Sequence, residues 1–107
     1  MKIAYFSDLH IDSYTSHLNE VAHAIYDYLK IENPDALILA GDIANTQQSI
    51  SLFLHSLQDL PFQKIFVPGN HDLWIESGRQ LRKGFDSGYK LITQLPELCK
   101  ACGFHYP

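Results

Sequence analysis

The chain has 107 residues and a formal net charge of −4 with its histidines neutral, a size that fits one domain. Its acidic balance gives little non-specific pull toward nucleic acid or an anionic membrane, although bound cations would invert the field locally for a phosphorylated substrate. No apolar run reaches the roughly eighteen residues that suggest a membrane span, and the first apolar stretch is too short for a signal peptide, so a cytoplasmic protein is expected.

In chain order, residues 2–7 are mostly apolar and give way at once to polar residues, which predicts a short buried strand. From about 16 to 31, Leu18, Val21, Ala22, Ile25, Tyr28 and Leu29 recur at helical spacing, and Asn33-Pro34 ends that helix. Residues 36–40 are continuously apolar, the pattern of a strand covered on both faces of a parallel sheet. Thr46 or Asn45 can cap a second helix with Ile50, Phe53, Leu54, Leu57 and Leu60 on its inner face, closed by Pro61. Residues 64–67 form a third strand, which Pro68-Gly69 turns sharply. A short helix at 76–83 and a loop at 84–88 follow. A last helix then runs to Cys102, with Leu95, Leu98 and Cys99 inward, Pro96 near its first turn and Gly103 as its stop.

Alternating strands and helices predict an α/β fold with parallel pairing through crossovers. In such sheets the carboxyl ends of the strands share one rim, where ligands bind. Asp8 and His10 follow the first strand, Asp42 the second, and Asn70, His71 and Asp72 the third, so residues far apart in sequence converge. Asp8 and His10, one residue apart in an extended segment, could grip one ion from the same side. Asp42, with two carboxylate oxygens behind Gly41, could bridge two cations, and Asn70 offers a neutral carbonyl oxygen. This nitrogen and oxygen set suits Mn²⁺, Fe, Zn²⁺ or Mg²⁺. Two such ions about 3.5–4 Å apart could hold a bridging hydroxide and the phosphoryl oxygens of a substrate. His71 is placed to meet the substrate, donating a proton to the leaving oxygen or a hydrogen bond to the phosphoryl group, and Asp72 to orient His71 and raise its pKa.

Ser7-Asp8-Leu9-His10, Ala40-Gly41-Asp42 and Pro68-Gly69-Asn70-His71-Asp72 resemble the first three motifs of the calcineurin-like metallophosphoesterases, in order and each behind an apolar strand. The resemblance implies a β-sandwich flanked by helices, an α/β/β/α arrangement of which residues 1–107 supply the N-terminal half, with a parallel or mixed sheet. It implies Asp8, His10, Asp42 and Asn70 as ligands of a dinuclear site, manganese among the candidate metals, with Asp42 bridging and His71 as proton donor. The implied activity is hydrolysis of phosphate mono- or diesters. The family completes its site with a later histidine and a Gly-His-x-His segment, and this chain has neither. His105, the only histidine after His71, follows the last helix too soon to replace them. The competing expectation is a non-catalytic remnant, truncated on its C-terminal side, that holds at most one ion or works only with a partner chain. Half a sandwich would expose apolar sheet surface and strand edges, which predicts an oligomer or association with a missing C-terminal half.

The remaining candidates have plainer readings. Asp12 is a solvated loop acid near Asp8. His17, His23 and His55 are helix residues away from the strand ends. Trp74 could wall the pocket but reads first as core packing, and Arg79, Arg82 and Lys83 could meet a phosphate but read first as a solvated helix face. Cys99-x-x-Cys102 could seed a redox or zinc module, but it lies at the wrong end of its helix to acidify a thiol and reads as two half-buried packing residues.

Overall fold

The computed structural model describes residues 1–10, 18–44, 46–69, 72 and 90–107. The readings of Asp12, His17, Asn45, Asn70, His71, Trp74, Arg79, Arg82 and Lys83, and of the helix at 76–83 and loop at 84–88, lie outside the described residues. Strands β1 (Ile3–Phe6), β2 (Ala36–Ala40) and β3 (Gln63–Val67) form one sheet in the order β1-β2-β3. Both pairings are parallel, with Phe6 beside Leu39 and Leu39 beside Phe66. Helix α1 (Leu18–Glu32) lies between β1 and β2 in the chain, and α2 (Gln47–Ser56) between β2 and β3. This is the α/β alternation that the apolar periodicities predict.

Side chains alternate across a sheet, and here the two faces have different fates. Leu37, Leu39 and Phe66 are fully buried and join one core with Ala22, Ile25 and Leu29 of α1 and Ile50, Phe53 and Leu54 of α2. Ala4 and Phe6 pack against the same core. On the opposite face Ile3 is 53% exposed, Tyr5 62% and Val67 40%. The first strand is therefore not the buried strand its composition predicts. It sits at the edge of the sheet, and only every second residue meets the core.

The helix ends show the local chemistry at work. Asn33 takes a left-handed φ of 45° and donates its N–H to the Leu29 carbonyl at 2.8 Å, closing α1 just before Pro34. Thr46 caps α2 by accepting the Ser49 N–H at 3.1 Å. That helix stops at Ser56, ahead of Pro61, and successive tight turns from Leu57 to Leu54 and Leu60 to Leu57 carry both leucines into the core. A π-helical turn, Lys90–Gln94, leads into α3 (Leu95–Cys102), which ends at Gly103 with φ 76°.

Beyond Gly103 the chain returns to the sheet. His105 bridges to Ile65, donating its N–H to the Lys64 carbonyl at 2.7 Å and accepting the Phe66 N–H at 2.9 Å. Tyr106 stacks on Phe66. Lys64 is buried beneath this segment, its Nζ donating to the Leu60 carbonyl at 2.7 Å over the Phe104 ring. Burial holds its pKa below the usual lysine value, against an upward pull from Asp59.

Cys99 and Cys102 are more deeply buried than their sequence context predicts, at 0% and 1% exposure, and both are free thiols. Burial, with Cys102 adding to it, pushes the Cys99 thiol up from 9.0 to about 12. Burial raises Cys102 as well. Thiols of this kind are neutral and inert at physiological pH, which favours packing over redox chemistry.

Leu39→Ala should cost about 2–5 kcal/mol in urea unfolding, and Thr46→Ala about 1 kcal/mol. The folded state holds the Cys99 proton more tightly than the unfolded chain does. Its contribution to stability should therefore be complete below pH 9.0 and decline as pH rises toward about 12. Unfolding midpoints across that range should slope less steeply in Cys99→Ala than in the parent.

Candidate metal centre

All three strands run parallel, so Phe6, Ala40 and Val67 deliver their following loops to one rim of the sheet. Asp8 and His10 leave β1 and Asp42 leaves β2, and their ligand atoms lie within 4.8 Å of one another. Two anionic oxygens and an imidazole nitrogen at that spacing fit one hard or borderline divalent cation. Asp8 is exposed, and His10 and Asp42 are half-buried, so an ion could reach them from solvent.

The route to this convergence differs from the sequence expectation. Asp8 and His10 do not face one way along an extended segment. Both are left-handed, with φ 54° and 45°, and Asp42 is left-handed too, with φ 54°. Aspartate and histidine tolerate that region better than most side chains do. Between Asp8 and His10, Leu9 packs against the core and pins the loop. After Asp42, Ile43 and Ala44 are fully buried and anchor the second loop.

Main-chain hydrogen bonds continue past the strand ends. The Asp8 N–H donates to the Gly41 carbonyl at 3.1 Å, and the His10 N–H to the Asp42 carbonyl at 3.0 Å. The β2 and β3 loops touch through glycine. A Cβ on Gly69 would lie 2.5 Å from the Asp42 nitrogen and 2.7 Å from Asp42 Oδ1.

Asp72 is completely buried. Its Oδ1 accepts the N–H groups of Ile43 at 2.8 Å and Ala44 at 3.0 Å, and its Oδ2 accepts that of Gly69 at 2.8 Å. Burial pushes its pKa up, and the N–H groups of Gly69, Ala44, Ile43 and Asp42 pull it down; the net direction is upward. Nothing local in the sequence points to these bonds, since two of the donors come from the loop after β2. The glycines at the two strand ends, Gly41 and Gly69, are the one hint that backbones meet there.

Asn70 and His71 fall between Gly69 and Asp72, outside the described residues. Among the described residues the other histidines, His23, His55 and His105, have different surroundings. His23 pairs with Asp27 one helical turn on, at 3.2 Å, and His55 Nδ1 sits 2.8 Å from the Ser51 carbonyl. His105 is exposed, and its backbone serves the sheet. Among the described residues, Asp8, His10 and Asp42 form the one group of three or more His, Cys, Asp or Glu side chains close enough to hold an ion.

Curated protein sequences give no match. Among solved structures, the phosphopantetheinyl hydrolase from Mycobacterium tuberculosis shares the fold, with a TM-score of 0.60 and 29% sequence identity. The alignment covers 99% of this chain and 35% of that one, so the chain spans about a third of the hydrolase's length. The family model described as calcineurin-like phosphoesterase matches residues 1–102, and the chain belongs to that family of metal-dependent hydrolases.

Proposed function

We propose that the chain provides the metal-binding and proton-donating half of a phosphoesterase centre that cleaves phosphate mono- or diesters. The observation that supports this is the convergence of Asp8, His10 and Asp42 to within 4.8 Å at the carboxyl rim of a parallel sheet. In this reading Asp8 and His10 would hold one ion, Asp42 would serve two, and Asn70 would serve the second. Divalent ions bound there, Mn, Fe, Zn or Mg, would acidify coordinated water and offset charge on the phosphoryl oxygens. His71 protonates the departing alkoxide. The substrate is a phosphorylated small molecule or other phosphoester. An ester carrying a phosphopantetheinyl group is a reasonable first choice, given the neighbour's activity.

The second reading is a chain that holds one ion and needs further ligands from a partner chain, a second copy or additional polypeptide. The apolar sheet face carrying Ile3, Tyr5 and Val67 favours an associated state, because exposed apolar patches mark interaction surfaces.

Metal analysis of the purified protein separates the two. Two ions per chain fit the first reading, one ion fits the second, and none defeats both. With Mn²⁺ present, Asp42→Ala should abolish hydrolysis of bis-p-nitrophenyl phosphate. His71→Ala should lower kcat about 10²–10⁴-fold on an alkyl phosphoester, and less on the p-nitrophenyl ester, whose leaving group needs no proton. Equal losses on both esters would remove His71 as the proton donor.

A further inference from the structure

We infer that Asp72 is a positioning residue of the metal centre, fixing Asp42 against the β3 loop and, through one peptide unit, setting His10 before any ion arrives. The inference rests on reading Asp8, His10 and Asp42 as metal ligands.

The peptide unit joining Asp42 to Ile43 is held at both ends. Its N–H, on Ile43, donates to Asp72 Oδ1 at 2.8 Å. Its carbonyl, on Asp42, accepts the His10 N–H at 3.0 Å. One ligand supplies that peptide unit and another hydrogen-bonds to it, so a rotation of the plane would move both. The Ala44 N–H on the same carboxylate oxygen prevents the rotation. The other carboxylate oxygen takes the Gly69 N–H, which ties the loop after β3 to the loop after β2.

Gly69 makes the join close. Its backbone sits where a Cβ would strike both the Asp42 nitrogen and Asp42 Oδ1, so it forms the wall against which the Asp42 carboxylate rests. Gly41, with φ 82°, meets it from the other side; a Cβ there would approach the Gly69 Cα to 3.2 Å. The two loops are thus fixed in one relation by a carboxylate accepting three N–H groups and by two glycines without side chains.

A fully buried carboxylate is costly unless its oxygens are hydrogen-bonded. Those of Asp72 are engaged by main-chain N–H groups on both of its oxygens, all in loops that carry or border the candidate ligands. An asparagine of the same shape could still accept from Ile43 and Ala44. Its amide would face the Gly69 N–H donor to donor, which uncouples the β3 loop alone.

Two measurements test this. In the metal-free parent protein, the amide protons of Ile43, Ala44 and Gly69 should be protected from hydrogen exchange. Exchange at the rate of an unstructured chain would overturn the inference without any variant. In Asp72→Asn, the Kd for Mn²⁺ by titration calorimetry, well below the Tm, should rise about tenfold to a hundredfold. The visible absorption of the Co²⁺-loaded protein should change as well. A purely structural role would lower the Tm and leave both the Kd and the Co²⁺ spectrum as in the parent, and that result would also overturn it. Should Asp72→Asn not fold, the exchange measurement decides. A parent protein that takes up no Mn²⁺ would instead defeat the ligand assignment, and this inference with it.

Discussion

One peptide unit, between Asp42 and Ile43, constrains much of the functional rim. It is the point where hydrogen bonds from the first loop and from Asp72 meet. Parallel pairing alone brings three loops to the same edge, but a shared edge leaves ångströms of freedom, and metal ligation does not tolerate that much. The described loops remove the freedom with main-chain bonds that run on from the sheet ladder, and with one buried carboxylate. The core contributes from below. Leu9 packs against it and Ile43 and Ala44 are buried in it, beside Asp8, His10 and Asp42, so the candidate site is tied to the packed layer.

Much of the architecture is legible in the sequence because its signals are local and agree with one another. The run at 36–40 predicts a central strand covered on both faces; β2 is the middle strand of three, but only Leu37 and Leu39 are buried, and Ile38 on the other face is half-buried. Thr46 as a cap, Asn33 and Gly103 as stops, and the helical periodicities of α1 and α3 follow from side-chain chemistry within a few residues. Legibility fails where the answer depends on position in the sheet. The apolar stretch before Ser7 looks like a core strand, yet it lies at an edge with Tyr5 outward, because composition does not say which strands will be covered on both sides.

The site shows the same division. The types and order of Asp8, His10 and Asp42 point to a candidate cation site, and the fold brings their side chains within reach of one ion. Their backbone conformation is not announced, and an extended reading of Asp8-x-His10 gives the right convergence by the wrong route. Asp72 is the clearest case. Beside His71 it reads as a partner for an imidazole, a pairing that lies outside the described residues, and its described hydrogen bonds come from the main chain of Gly69 and, across the fold, of Ile43 and Ala44. Only the tertiary fold connects those atoms.

The left-handed conformation of Asp8, His10 and Asp42 bears on how such a chain can change over generations. On the proposed reading each position answers to two filters, one for a metal-binding atom and one for a backbone shape that branched and bulky residues resist. Asparagine and glycine pass the second filter and weaken or fail the first. A lineage released from selection for catalysis would therefore drift toward those two residues at these positions while keeping its sheet and core intact. Aspartate and histidine, the residues at these three positions, satisfy both requirements at once.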